Sequence, residues 1–264
     1  MKRRRALATV AAALGGVAGC AGDGPGESTP TPTATSGTPI PGTPEDVVVE
    51  KAVTYSSLMG SGGVLTPEDR QFVVASLGDR DAPDSVTFTF ETDGNSWDAG
   101  LPATRGASNA AVADHGRPSV AFTVPSPLAA SSPRIRRSDG TAWPLSAEAR
   151  DRLAAPAPRY ELDNLTVPDR VSQGEPMPVE LAATNVSETG GRFLAAIYWP
   201  TERIADDDES RIVDRTVAAD ESVTATLDID TAYTATEAGP VTLSTTGHVS
   251  ADREVGVEDV DTDA

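Results

Sequence analysis

The sequence predicts an all-β protein built as two antiparallel β-sandwich domains behind a leader and a disordered linker. Three observations carry that expectation. Apolar and polar residues alternate one by one in short runs from residue 46 onward, as in Val86, Phe88 and Phe90 against Thr87, Thr89 and Glu91. Turn-forming Gly, Pro, Asn and Asp punctuate these runs. No long stretch repeats its apolar residues at helical spacing.

Residues 1–19 read as a signal peptide. Lys2, Arg3, Arg4 and Arg5 form a cationic start, and residues 6–17 form an Ala-rich apolar stretch. At about 1.5 Å per residue that stretch falls short of a ~30 Å hydrocarbon core, so it suits export rather than spanning. Arg3, Arg4 and Arg5 resemble the twin-arginine export pattern, which implies export in the folded state. The apolar stretch ends at Val17-Ala18-Gly19-Cys20, which resembles the lipobox of bacterial and archaeal lipoproteins. The resemblance implies that Cys20 is lipidated, becomes the first mature residue and anchors the chain in the membrane. One short chain would hold only marginally, whereas the diacyl- or archaeol-type thioether it implies would hold better.

Residues 20–45 form the expected tether. Of the 25 residues from 21 to 45, six are Pro, six Thr, five Gly and two Ser, too few apolar groups for a core. Repeated Thr-Pro favours extended geometry at about 3.1 Å per residue, a reach of roughly 75 Å.

The first domain is expected over 46–155. Phe72-Val73-Val74, the alternation around Phe88, and residues 119–124 read as strands, the last ended by Pro125 and Pro127. Asp93-Gly94-Asn95 before Trp97 is a turn signal. Two helical turns are expected. Thr66-Pro67-Glu68-Asp69 starts one, and Ser146-Ala147-Glu148-Ala149-Arg150 starts another that Pro156 stops.

Pro156-Ala157-Pro158 marks the junction, and a second domain is expected over 156–255. Val179, Leu181 and Ala183 alternate with polar or small neighbours. Phe193, Ala195, Ile197 and Trp199 share a strand face, residues 212–217 form a shorter strand, and Val223, Ala225, Leu227 and Ile229 alternate with Thr and Asp. Val241, Leu243 and Thr245 follow. Residues 256–264 read as an acidic, frayed tail.

Residues 179–246 carry Thr184-Asn185, Gly190-Gly191-Arg192-Phe193, Ala219-Asp220-Glu221-Ser222-Val223-Thr224 and Ala238-Gly239-Pro240-Val241-Thr242-Leu243. This succession resembles the CARDB type of immunoglobulin-like module, the cell-adhesion-related domain of bacterial and archaeal surface proteins. Val186-Ser187 stand where the family usually has a Gly. Residues 46–130, with Phe122-Thr123-Val124-Pro125, more faintly resemble another immunoglobulin-like lipoprotein domain. The resemblance implies surface binding or adhesion and supplies no catalytic residues.

Charge narrows the partners. Asp and Glu number 40 against 21 Lys and Arg, a net charge of −19. Without residues 1–19, 17 basic and 40 acidic side chains remain, a balance of −23. Such a chain is unsuited to nucleic acid. The acids divide into 24 Asp and 16 Glu, and only Lys2 and Lys51 are lysines. This composition resembles that of salt-loving archaea, where a strongly hydrated acidic surface keeps proteins soluble. Residues 133–159 run against the trend, with Arg134, Arg136, Arg137, Arg150, Arg152 and Arg159 against three acids. Two readings stand for this segment: pairing with acids of the second domain, or a docking patch for an acidic protein or glycan.

The candidate chemistry is thin. One Cys excludes an intrachain disulfide and a Cys-built metal site, and no cofactor is expected. Asp206-Asp207-Asp208-Glu209 is a weak calcium candidate without EF-hand spacing, better read as a solvated loop. Asp114-His115 has no marked nucleophile nearby, and His248 reads as a surface or turn residue. Trp97, Trp143 and Trp199 read as core or edge packing rather than a sugar platform. Asn164-Leu165-Thr166 and Asn185-Val186-Ser187 fit the N-glycan acceptor pattern.

Together these readings describe a non-enzymatic, lipid-anchored protein on the outer face of the cell membrane, presenting immunoglobulin-like domains for binding or adhesion to an envelope protein or glycan. The alternative is an accessory or scaffold subunit of an envelope enzyme or transporter. A carboxylate-based hydrolase is a third class, for which no acid pair stands out. If the charge is a salt adaptation, lowering salt from molar to 0.1 M expands or unfolds the protein, because carboxylate repulsion loses its screening. Circular dichroism checks this; an unchanged β spectrum and melting point would refute it.

Overall fold

The computed structural model describes residues 44–56, 62–77, 86–102, 104, 110–113, 118–201, 211–234 and 240–258. Cys20, the lipobox residues Val17, Ala18 and Gly19, the export arginines, Asp114-His115 and the acidic loop Asp206 to Glu209 lie outside the described residues. The protein is all-β, with antiparallel sheets and one helix among the described residues.

The first half contains β1 (Pro44–Glu50), β2 (Val53–Ser56), β3 (Gly62–Leu65), β4 (Arg70–Leu77), β5 (Phe88–Glu91), β6 (Ser96–Asp98), β7 (Ala111–Val112), β8 (Ser119–Pro125), β9 (Arg134–Arg137), β10 (Ala142–Pro144) and α1 (Ala147–Ala154). It departs from a two-sheet sandwich. The strands form three sheets, β1-β4-β8, β10-β9-β5-β6 and β3-β2-β7. β1-β4-β8 is the middle layer. Val73, Ala75 and Leu77 of β4 share a core with Phe90, Phe122, Ile135 and Leu153. Phe72 and Val74, on the opposite face, pack with Val53 and Val112. A strand covered on both faces has no polar side to alternate with, so β4 is a near-continuous apolar run.

The expected helical turn at 66–69 is only a turn, because β3 and β4 leave four residues between them. The second helix forms. Ser146 Oγ accepts from the Ala149 N–H at 3.1 Å, and Ala149 and Leu153, four apart, face the core.

The second half contains β11 (Tyr160–Thr166), β12 (Arg170–Ser172), β13 (Met177–Asn185), β14 (Gly191–Tyr198), β15 (Arg211–Val217), β16 (Ser222–Ile229), β17 (Pro240–Gly247) and β18 (Ala251–Glu258). Sheets β11-β13-β16 and β12-β18-β17-β14-β15 enclose a core of Met177, Leu181, Phe193, Ile197, Trp199, Ile229 and Leu243. β18 runs to Glu258, paired parallel with β12, so residues 256–258 belong to a strand and not to the expected acidic tail. At the other end, β1 takes up Pro44 and Glu45 of the segment read as tether.

The halves meet through β3, which packs across β14 and β17. A Cβ on Gly63 would sit 2.5 Å from Tyr198 Oη, and one on Gly247 would sit 2.5 Å from the Leu194 carbonyl. Gly247 also has φ +137, outside the range of other residues. Only hydrogen fits at either place.

Lys51 ties the first half together internally. It is 8% exposed, at the corner between β1 and β2. Its ammonium donates to Gln71 Oε1 at 2.5 Å and to the Ala155 carbonyl at 2.6 Å, with Ser126 Oγ at 3.4 Å. Gln71, fully buried, donates from Nε2 to the Pro125 carbonyl at 2.7 Å and the Leu153 carbonyl at 2.9 Å. The end of α1, whose last carbonyls lack helical partners, thus receives a cation and an amide. Burial, with the nearby Arg152 charge adding to it, lowers the Lys51 pKa to about 8. Lys51→Met removes the donor from two buried carbonyl oxygens and is expected to cost about 2 kcal/mol. Urea unfolding checks this: the midpoint falls at unchanged m, and an unmoved midpoint refutes the role.

Candidate functional site

Both halves contribute to a recess on the described surface. A cavity of about 130 Å³ opens between the β1 end, the α1 end and the loop entering β14, lined by Glu50, Lys51, Arg152, Pro158, Gly191 and Arg192 among others. Its charges are engaged. Lys51 is held as described, Arg152 lies 4.0 Å from Glu50, and Arg192 grips Asp214 through Nε at 3.0 Å and Nη2 at 2.7 Å. An open groove of about 280 Å³ runs along β1 and α1, lined by Asp46, Glu50, Glu148 and Arg152. No group of three or more His, Cys, Asp or Glu residues that could hold a metal occurs among the described residues.

Much of the arginine segment is engaged by acids. Antiparallel pairing of β5 with β9 sets Glu91 opposite Arg134. Arg134 Nε donates to one Glu91 oxygen at 3.0 Å and Arg136 Nε to the other at 2.8 Å. Mainly the Arg136 hydrogen bond, with help from Arg134 and against desolvation, holds Glu91 below the ordinary carboxylate range. Arg137 donates to Asp139 from Nε at 3.0 Å and lies 5.5 Å above the Trp143 ring. This corrects the expectation of pairing across the halves: Arg134, Arg136, Arg137 and Arg152 all have their acids within the first half. Arg150, on α1, and Arg159, just before β11, are exposed.

The two acceptor-pattern asparagines have opposite fates. Asn185 is 0% exposed. Its Nδ2 donates to the Thr189 and Ala218 carbonyls at 3.0 Å each, and its Oδ1 accepts from the Ser187 N–H at 3.1 Å and Oγ at 2.7 Å. It shapes the turn after β13 and has no nitrogen to offer, which overturns its reading as a glycan acceptor. Asn164 is exposed on β11.

His248 lies in the turn between β17 and β18, one of the two places the sequence suggested, but its ring is packed inward and not at the surface. Its ring stacks on Phe193 at 5.8 Å and meets the Tyr160 edge at 4.8 Å. Nδ1 accepts from the Leu194 N–H at 2.9 Å, so the neutral ring carries its proton on Nε2. Burial lowers its pKa to about 4, and the Leu194 carbonyl opposes that only in part. Burial also pushes Tyr160 up to about 12, with its hydroxyl donating to the Gly191 carbonyl at 3.1 Å. Trp97 packs on Phe90 at 5.7 Å, Trp143 on Phe88 at 6.5 Å, and Trp199 donates to Thr234 Oγ1 at 2.9 Å. All three tryptophans are packing residues.

No protein-family model matches the chain, and no curated protein matches it. Among solved structures, the β-glucosidase from Listeria innocua in complex with gluconolactone aligns at TM-score 0.33 and 17% identity over 39% of this chain. The β-glucosidase EmGH1 from Erythrobacter marinus aligns at 0.32 and 8% over 38%. DesR, a β-glucosidase from Streptomyces venezuelae, aligns at 0.29 and 21% over 38%. The aligned part spans 15–16% of those enzymes' length, and likeness of this extent bears on neither activity nor fold.

His248 gives a pH signature. Its folded pKa lies below the ordinary histidine value of 6.5, so the folded state binds fewer protons between about pH 6.5 and 4. Its stabilising effect is complete above 6.5 and is lost as pH falls through 4. Allowing for its partial exposure, the loss is on the order of 2 kcal/mol. His248→Asn keeps an acceptor for the Leu194 N–H but does not titrate. Melting points from pH 7 to 4 should therefore fall less steeply in the variant, and equal slopes refute the assignment.

Proposed function

We propose that the chain is a non-catalytic, lipid-anchored protein of the outer membrane face that presents β-sandwich surfaces for binding or adhesion. The observation that carries this reading is one of succession. A leader ending in the chain's single Cys is followed by a Thr/Pro-rich segment, and the last Pro of that segment, Pro44, is the first residue of β1. A chain arranged in this order has an address, a tether and a folded body with no further segment between them.

We also infer that residues 160–258 form an immunoglobulin-like module. What supports this is the strand order β11-β13-β16 facing β12-β18-β17-β14-β15, in which the first-strand region contributes to both sheets. The Thr184-Asn185 pair of the CARDB resemblance has a physical use in that frame, since Asn185 closes the turn that follows. Contacts would fall on sheet edges and end loops. The alternative is an accessory or scaffold subunit of an envelope enzyme or transporter, for which Arg134, Arg136 and Arg137, paired with Glu91 and Asp139, would be part of the dock.

Cys20→Ser tests the anchor. The wild-type chain is expected in the membrane fraction and released only by detergent, whereas the variant is expected in the soluble fraction. A wild-type chain that fractionates as soluble refutes the reading.

A further inference from the structure

We propose that Asn164 is the acceptor of an N-linked oligosaccharide and that a β-bulge is what makes it one. Strict alternation along β11 would send residue 164 inward after Tyr160 and Leu162, both of which pack on the core. The register against β13 instead shifts between Leu162 and Asn164. The extra residue turns Asn164 and Thr166 outward and returns Leu165 to the core. Asn164 then pairs with Ala182 and Thr166 with Glu180 on one exposed face, and Asn164 Nδ2 donates to Thr166 Oγ1 at 2.6 Å. The acceptor amide and the hydroxyl two residues on are therefore in contact, on a strand that has a neighbour on one side only. Asn185 shows the opposite arrangement: same motif, both amide hydrogens spent, no exposure.

The modification adds one bond and breaks one. Asn164 Nδ2 forms a bond to the anomeric carbon of a lipid-phosphate-linked oligosaccharide. The bond from that carbon to the phosphate oxygen breaks, the lipid phosphate leaves, and an amide proton passes to a base of the transferase. The proposal rests on the surface reading above, because it needs a chain that meets such a donor outside the cytoplasm. A glycan there would also cover an open sheet edge, which otherwise invites pairing with another chain.

Trypsin separates the two asparagines. Cleavage after Arg159, Arg170 and Arg192 yields 160–170 with Asn164 alone and 171–192 with Asn185 alone. The full chain is taken from its native cells, with protease added to intact cells to read its location, and both peptides are weighed. The expected result is a sugar mass on 160–170 in the wild type and in Thr166→Ser, none in Thr166→Ala, and a bare 171–192. A surface-accessible chain with a bare 160–170 overturns this proposal and leaves the surface reading standing. A sugar on 171–192 overturns the contrast. A chain protected from protease overturns the surface reading and this proposal together.

Discussion

A charged ammonium inside a β protein has to be met by acceptors, and Lys51 is placed where its acceptors belong to three separate pieces of chain. It sits at the bend between β1 and β2, touches Gln71 of β4 and Ser126 just beyond β8, and ends on the carbonyl of Ala155, directly after α1. Moving any of these pieces strands a buried polar atom, which is costly in a low dielectric. The next residues are Pro156 and Pro158, so the same group that satisfies the helix end fixes the direction in which the chain leaves the first half. The β3 contact on β14 and β17 depends on that direction, because it is tight: a Cβ on Gly63 would lie 2.5 Å from the Tyr198 hydroxyl, and one on Gly247 would lie 3.1 Å from Val64 Cγ2 of β3.

The rest of the charge does a different job. The described ion pairs join near neighbours within one half: Glu91 with Arg134 and Arg136, Asp139 with Arg137, Asp214 with Arg192, Glu258 with Arg170. Pairs as exposed as Arg170–Glu258 contribute little to stability individually. Stability comes from the apolar layers, and the excess of acids is a property of the surface.

Much of the second half was legible in the sequence, because β13, β16 and β17 each have one face in the core and one in water, and alternation reports that arrangement directly. The first half was less so. Its third sheet includes Gly62-Gly63, which reads as loop, and β4 carries no alternation because both its faces are covered. Register was invisible. Nothing local says that Glu91 will face Arg134, or that a one-residue shift will expose Asn164. Two signals were available and unused. Lys51 is the only lysine beyond the leader in a chain that otherwise uses Arg, and Asn185 ends a strand whose preceding residues alternate cleanly into the core.

β4 and β14 share one property across more than a hundred residues of sequence: each is covered on both faces, β4 by two neighbouring sheets and β14 by its own core and by β3. Amide hydrogens in such strands reach solvent only when the layers on both sides separate. For β14 one of those layers belongs to the other half of the molecule. Deuterium uptake at β14 therefore reports on the first half as well as the second, whereas uptake at β4, whose covering layers both belong to the first half, reports on that half alone.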